Sequence, residues 1–158
     1  MTTAIVSGSF DPITYGHMDI IARAESLFGR VVVAVAANTG KKEMFTPELR
    51  ARAAEAAVAG MGNVTVRVCK GLLADLCAEY ENPVIVRGAR SGTDFDYEWS
   101  IARANAALGK VDTVVLPAKP ELAYMSSTYA RELFLYGRDV CAAVPAAAAQ
   151  VLYEKGQK

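Results

Sequence analysis

Short apolar runs rich in β-branched residues alternate with segments of helical periodicity along the whole chain. The runs are almost continuously apolar, which is typical of parallel strands that are covered on both faces. They span 4–6, 31–36, 64–68, 84–86 and 113–116. Helices are predicted near 17–28, 47–59, 72–80, 94–108, 127–136 and 145–155. The sequence therefore predicts a Rossmann-like α/β fold: a doubly wound, parallel, five-stranded sheet with helices on both faces.

The composition limits the classes of protein to consider. With 158 residues, 53% hydrophobic, and no linker, the chain is predicted to form one domain over 1–158. Lysine plus arginine equal aspartate plus glutamate at 17 each, so no global charge favours nucleic acid or an anionic membrane as a partner. The three cysteines lack C-x-x-C spacing, and no segment is typical of a signal peptide or a membrane span. We expect a soluble, cytoplasmic protein with reduced thiols.

The first strand leads into a loop that is typical of phosphate binding. Gly8 and the Asp11-Pro12 bend follow the strand, and Gly16-His17 open the first helix. A helix N-terminus of this kind presents free N–H groups and the positive end of a dipole to an anion. The spacing matches neither G-x-G-x-x-G nor G-x-x-x-x-G-K-[ST]. His17, the only histidine, could donate to a phosphate oxygen, or its ring could simply be satisfied by a backbone carbonyl.

Cationic side chains follow two further strands, where ligands of such sheets bind. Lys41 and Lys42 come after the second strand, and Arg87 and Arg90 come after the fourth. Two arginines separated by Gly88-Ala89 could grip a phosphate through bidentate hydrogen bonds. The alternatives are a solvated lysine loop and two solvated arginines that pair with nearby aspartates.

The segment that follows Arg90 is acidic and aromatic. Asp94 and Asp96 are expected to favour a helix N-terminus rather than a calcium site, because their spacing fits no calcium loop. Glu98 could reach a ribose hydroxyl or support a neighbouring arginine. Phe95 and Trp99 are predicted to make core or interface contacts.

A second group of hydroxyls lies beyond the last strand, at 126–128. One of them is expected to cap the helix near 127–136, and together they could form a second phosphate cradle. No Ser/His/Asp ordering indicates a covalent nucleophile.

These motifs together resemble the phosphopantetheine adenylyltransferases of the nucleotidyltransferase superfamily. The superfamily signature is T-x-G-H at 14–17, and the resemblance spans almost the whole chain. Its further motifs are G-S-F-D-P at 8–12, K-K-x-x-F-T at 41–46, R-G-x-R at 87–90, D-F-x-Y-E at 94–98 and M-S-S-T at 125–128. Ser9 stands where threonine is commoner, which keeps the hydroxyl.

The resemblance implies functional residues at matching positions. His17, Lys41 and Arg90 would be catalytic. The implied ATP contacts are Ser9, Phe10, His17, Gly88, Ala89, Arg90, Glu98, Leu122, Ala123, Tyr124, Met125, Ser126, Ser127 and Thr128. The implied contacts to 4′-phosphopantetheine are Ser9, Lys41, Leu73 and Arg87.

The resemblance also implies an activity. The 4′-phosphate of phosphopantetheine would attack the α-phosphorus of ATP in line, giving dephospho-coenzyme A and pyrophosphate without a covalent enzyme intermediate. Mg²⁺ would be held by phosphate oxygens and water, not by a protein metal site. A homohexamer and feedback inhibition by coenzyme A are implied in the same way. The alternatives are a nucleotidyltransferase with another acceptor and a non-catalytic nucleotide sensor on the same scaffold.

Overall fold

A five-stranded, wholly parallel sheet forms the centre of the protein. The structure is a computed structural model that describes residues 1–37, 40 and 42–155. The strands are β1 (Thr3–Gly8), β2 (Arg30–Ala36), β3 (Val64–Cys69), β4 (Pro83–Ala89) and β5 (Asp112–Pro117). Their order in the sheet is β3-β2-β1-β4-β5. The predicted Rossmann-like sheet is confirmed, because the strand order reverses beside β1 as in a doubly wound fold.

Helices cover both faces of the sheet. They are α1 (Tyr15–Leu27), α2 (Pro47–Val58), α3 (Leu73–Cys77), α4 (Gly92–Gly109), α5 (Ser127–Leu135) and α6 (Ala146–Lys155). The larger core packs α1, α2, α5 and α6 against one face, and a smaller core lies against the other, where it includes residues of α3. The helix predicted over 72–80 is shorter, because its last turn tightens to bonds such as Tyr80 N–H to Cys77 O at 3.1 Å.

The edge strands depart from the prediction that every strand is covered on both faces. Thr65 and Arg67 of β3 and Val114 of β5 are exposed, whereas 31–35 of β2 are fully buried. Strands at the edge of a sheet have only one neighbour and are incompletely covered by helices. Their side chains therefore alternate between covered and exposed positions, even where the sequence is mostly apolar.

A glycine in β4 lies against α1. A Cβ added at Gly88 would lie 3.0 Å from Cγ1 of Ile20, so the missing side chain leaves room for Ile20 to pack on the strand. The sequence places Gly88 between two candidate phosphate-binding arginines, and the structure adds this close contact with the Ile20 side chain. The first turn of α1 is thereby held beside the carboxyl ends of β1 and β4.

The structure confirms the predicted start of α2 but not the predicted core contacts of two aromatic residues on α4. Thr46 caps α2 and Pro47 is its first residue, as the sequence indicates. The core interpretation of Phe95 and Trp99 on α4 is wrong, because these side chains are 43% and 56% exposed. In the part of the chain that the structure describes, no helix is both long and apolar enough to span a membrane.

Candidate active site

Two cavities open at the carboxyl ends of β1 and β4, where the strand order reverses. Their volumes are about 460 and about 230 Å³. Both are lined by Ser7, Gly8, Ser9, Arg87 and Glu98, so the two cavities lie side by side and share these residues as one wall. This is the position at which open α/β sheets bind ligands.

The loop after β1 is tightly constrained. Phe10 has a φ of 48°, which is unusual for a residue with a side chain, and its ring is 2% exposed. The ring packs edge-on against the imidazole of His17, with 5.0 Å between the centroids. Strained backbone conformations of this kind persist where the surroundings enforce them, and they cluster at functional sites.

His17 and Thr14 begin α1 with reciprocal hydrogen bonds. The His17 N–H donates to Thr14 Oγ1 at 3.4 Å, and the Thr14 N–H donates to His17 Nδ1 at 3.0 Å. Since Nδ1 accepts a hydrogen bond, a neutral imidazole carries its proton on Nε2. Burial and then the positive charges of Arg87 and Arg90 lower the pKa of His17 to about 4. His17 is thus a neutral side chain with one N–H donor at physiological pH.

Arg87 lies in the shared wall and is held by a carboxylate. Its Nε and Nη2 donate to Glu98 Oε2 and Oε1 at 2.7 and 2.8 Å, and Nη1 donates to the Ser7 hydroxyl at 3.1 Å and to the Ser7 carbonyl. Glu98 therefore supports a neighbouring arginine, one of the two possibilities that the sequence left open. The bidentate pair fixes the plane of the guanidinium.

Arg90 has a different environment. Its backbone N–H and its Nε donate to Asp94 Oδ2 at 3.1 and 3.2 Å, and its side chain is 48% exposed. The pairing that sequence analysis offered as the alternative thus exists for Arg90 with Asp94, while Arg87 pairs with Glu98 instead. Because the Arg90 pair is half-exposed, solvent weakens it, and an anionic ligand could compete for the guanidinium.

The serine hydroxyls at the start of α5 each bind a different partner. Ser126 is the cap and accepts from the Tyr129 N–H at 3.1 Å. The Ser127 hydroxyl donates to the Pro12 carbonyl at 2.9 Å, which joins the start of α5 to the loop after β1. The two helix N-termini that the sequence identified as phosphate cradles, those of α1 and α5, therefore face the same cavity.

Arg131 is a cation of the cavity wall that sequence analysis missed. Its Nη1 donates to the Asp11 carbonyl at 2.8 Å, and its Nη2 donates to Thr128 Oγ1 at 3.1 Å. The signal was in the sequence, because residues three and four apart on a helix lie on the same face. Arg131 comes three and four residues after the hydroxyls of Thr128 and Ser127.

Most of the predicted site residues line one of the two cavities. The larger cavity contains Ser9, Phe10, His17, Arg87, Gly88, Arg90, Glu98, Leu122, Met125, Ser126, Ser127 and Thr128, together with Lys42. Leu73 lines the smaller cavity with Ser9, Arg87 and Glu98. Ala89, Ala123 and Tyr124 line neither, and their ATP contacts stay predictions. Lys41 lies outside the described residues.

The charges around the larger cavity suit an anionic ligand. Lys42, Arg87, Arg90 and Arg131 line it, and the histidine among them presents an N–H donor. Four carboxylates line it as well, those of Asp11, Glu43, Asp94 and Glu98, and each is paired with a protein donor. Across residues 1–37, 40 and 42–155, no three His, Cys, Asp or Glu side chains are grouped so that they could hold a metal ion. The cavity is therefore equipped to neutralise phosphates through nitrogen donors.

The single histidine makes the protonation state of His17 directly measurable. We expect its imidazole C–H resonance in the ligand-free protein to titrate with a pKa near 4, whereas the unfolded chain in denaturant should titrate near 6.5. Because the folded pKa lies below the unfolded one, the stability contributed by neutral His17 is present above pH 6.5. It is lost as the pH falls through about 4. A pKa of 6.5 or higher in the folded protein would contradict the neutral histidine.

Known proteins are similar to this chain in sequence and in fold. The family model described as cytidylyltransferase-like matches residues 5–133. A phosphopantetheine adenylyltransferase of Streptomyces coelicolor is 43% identical over 155 residues, covering 98% of both chains. One of Levilactobacillus brevis is 42% identical over 153 residues, covering 96% of this chain and 95% of the relative.

The fold is also shared with a solved structure of lower sequence identity. A Vibrio parahaemolyticus protein titled "Putative Nicotinate-nucleotide Adenylyltransferase" superimposes with a TM-score of 0.72 and 18% identity, over 98% of this chain and 93% of that one. This likeness shows the fold alone, whereas the sequence relatives show the family. The chain belongs to the phosphopantetheine adenylyltransferase family, within the cytidylyltransferase-like proteins.

Proposed function

We propose that the protein transfers the adenylyl group of ATP to 4′-phosphopantetheine, which yields dephospho-coenzyme A and pyrophosphate. The observation that carries this proposal is the pair of cavities with one shared wall. A two-substrate transfer needs two binding spaces that meet where the new bond forms. ATP would occupy the larger cavity and the pantetheine arm the smaller one, with both reacting phosphates at the junction.

The acceptor phosphate would bind at the shared wall. Arg87 lines both cavities, and Glu98 holds its guanidinium in a fixed plane. Ser9 offers a hydroxyl at the same place, and Leu73 lines the smaller cavity. Lys41 would add a further positive charge to the attacking phosphate, as the family resemblance implies. These groups would hold the attacking oxygen in line with the α-phosphorus of ATP.

The nucleotide phosphates would lie between the starts of α1 and α5. The neutral His17 presents Nε2–H to the α-phosphate, where negative charge develops during transfer. Arg90 can exchange Asp94 for a phosphate, because this pair is half-exposed. Arg131, in the second turn of α5, lines the same cavity and would contact the departing pyrophosphate. Positioning and charge neutralisation then supply the acceleration, with no covalent intermediate.

Mg²⁺ would be bound by the ATP phosphates and not by a metal site of the protein. Each carboxylate that lines the larger cavity already binds a protein donor: Asp11 accepts the N–H groups of Met44 and Phe45, Glu43 binds Arg50 through Oε2, Asp94 binds Arg90, and Glu98 binds Arg87. Of their oxygens, Glu43 Oε1 is buried without a partner among the described residues. Mg²⁺ prefers a few oxygen ligands plus water, and triphosphates supply these. We therefore propose that Mg²⁺ arrives on the ATP phosphates.

We also propose a homohexameric assembly and feedback inhibition by coenzyme A, as the family resemblance implies. Exposed aromatic side chains support an interface on α4, where Phe95, Tyr97 and Trp99 are 43%, 58% and 56% exposed. Coenzyme A contains the pantetheine arm and could compete for the smaller cavity. A cytoplasmic location completes the proposal.

Pyrophosphate release by the purified protein tests the proposed reaction. With ATP, Mg²⁺ and 4′-phosphopantetheine, we expect stoichiometric release of pyrophosphate and formation of dephospho-coenzyme A. Nicotinate mononucleotide and glycerol phosphate serve as alternative acceptors. Release with one of them instead would keep the mechanism and change the acceptor. ATP binding without release for any acceptor would favour a nucleotide sensor.

Substitution of His17 by asparagine separates its two hydrogen bonds. The asparagine Oδ1 can take the place of Nδ1 and accept the Thr14 N–H, but the Nε2–H donor is lost. We expect His17→Asn to lower kcat by at least about 100-fold with little change in Tm, because one transition-state donor is removed. His17→Ala, which loses both bonds, should lower kcat similarly and also lower Tm. A kcat for His17→Asn within about threefold of wild type would remove His17 from the chemical step.

A further inference from the structure

Arg50 of α2 is a fully buried cation that lies outside both cavities. Its side chain is 0% exposed, and it lines neither cavity. Its donors are all directed at the protein. Nε donates to the Phe45 carbonyl at 3.1 Å, Nη1 to the Ala36 carbonyl at 2.9 Å and also to the Ser9 carbonyl, and Nη2 to Glu43 Oε2.

The partners of Arg50 belong to two separate parts of the cavity wall. Ser9 lies in the loop after β1, whereas Glu43 and Phe45 lie in the segment that leads from the end of β2 to α2. The same segment carries Lys42, and Ser9, Lys42 and Glu43 all line the larger cavity. The Arg50 guanidinium therefore connects the loop after β1 with the segment that carries Lys42 and Glu43, and both parts line the larger cavity.

Asp11 makes a second connection between the same two parts. Its Oδ2 and Oδ1 accept the N–H groups of Met44 and Phe45 at 2.9 and 3.0 Å, and the residue is 4% exposed. The segment 43–45 is thus bound from one side by Arg50 and from the other by Asp11. This buried connection ties the loop after β1 to the residues that directly follow Lys42.

The choice of arginine at this position is hard to explain by stability alone. Removing a guanidinium from water carries a large cost, and well-packed apolar residues of similar volume are often as stabilising as a buried ion pair. The planar guanidinium, however, has donors in fixed directions, and here it contacts three carbonyls and one carboxylate at once. Such an arrangement specifies geometry.

We propose that Arg50 is a positioning residue for the transfer reaction: it sets the separation between the loop after β1, which would bind ATP phosphate, and the segment that carries Lys42. This inference rests on the proposed function. Each substrate has contacts from several other elements, so a displaced segment would still allow binding. Alignment of the attacking oxygen with the α-phosphorus is more sensitive, because small displacements of reacting groups cost much of the rate.

Arg50→Lys tests this role, with Arg52→Lys as the matched control. Both substitutions keep the positive charge on α2, but Arg52 is exposed and makes no hydrogen bond or ion pair with the residues that the structure describes. We expect Arg50→Lys to lower kcat by about 10- to 100-fold, with KM for ATP and for 4′-phosphopantetheine within about threefold of wild type. The control should leave kcat and both KM values unchanged. ATP-binding stoichiometry, measured by calorimetry, gives the fraction of folded, binding-competent protein.

The split between kcat and KM distinguishes positioning from a structural role. A merely structural arginine would lower Tm or the folded fraction, while kcat per binding-competent site stayed within about twofold of wild type. That result would overturn the inference. A loss confined to KM would also overturn it, since Arg50 would then affect binding and not alignment.

Glu43→Gln provides a second variant in case Arg50→Lys does not fold. It keeps the shape of the Arg50 partner and removes its charge, so we expect kcat to fall about 3- to 10-fold with both KM values retained. An unchanged kcat in folded Glu43→Gln protein would overturn the inference. In the double variant, non-additive losses would show that both residues act through one connection. If wild-type protein releases no pyrophosphate with any acceptor, the proposed function fails; normal activity in the variants refutes only the role of Arg50.

Discussion

The reciprocal hydrogen bonds between Thr14 and His17 are the interaction on which the site depends. They begin α1, and the same bond that satisfies the Thr14 N–H occupies Nδ1 of the imidazole. One local structure therefore determines where the helix starts, how the ring is oriented and which nitrogen carries the proton. Gly16 lies in this turn, between Thr14 and His17. A Cβ on Gly16 would lie 3.3 Å from the Met125 carbonyl oxygen, so the missing side chain allows a close approach. The close approach brings the segment before α5 against the start of α1.

The arginines in and near the site are each paired with a carboxylate of the protein, although the site is proposed to bind anions. Arg87 binds Glu98, Arg90 binds Asp94, Arg131 lies 3.8 Å from Asp11, and Arg50 binds Glu43. Each carboxylate offsets the charge of a guanidinium that would otherwise be costly to bury, and it also fixes the direction of its donors. The most exposed of these pairs, Arg90 with Asp94, is the one that a ligand can most easily replace. The attraction for an anion in the cavity therefore arises from the directions of these donors and not from an excess of positive charge, since lysine plus arginine equal aspartate plus glutamate overall.

Local patterns were sufficient to predict the sheet and which strand ends to examine. Apolar runs located all five strands, and residues at their carboxyl ends, such as Ser9 after β1 and Arg87 near the end of β4, line the cavities. The partners of the arginines could not be read in the same way. Arg50 and Ser9 are separated by 41 positions and Arg131 and Asp11 by 120, so only the folded arrangement of the sheet brings them together. Phe95 and Trp99 were predicted to make core or interface contacts, because aromatic residues four apart on a helix are compatible with either, and their exposure removes the core alternative.

The proposed mechanism depends on His17 acting as a neutral donor through Nε2, with the Thr14 N–H bound to Nδ1. The most direct test is nitrogen-15 NMR of the single histidine at pH 7, with and without ATP, using couplings between the ring nitrogens and carbon-bound protons to assign the tautomer. We expect a proton on Nε2 and an unprotonated Nδ1 in both states. A proton on Nδ1, or protons on both nitrogens at pH 7, would contradict this mechanism.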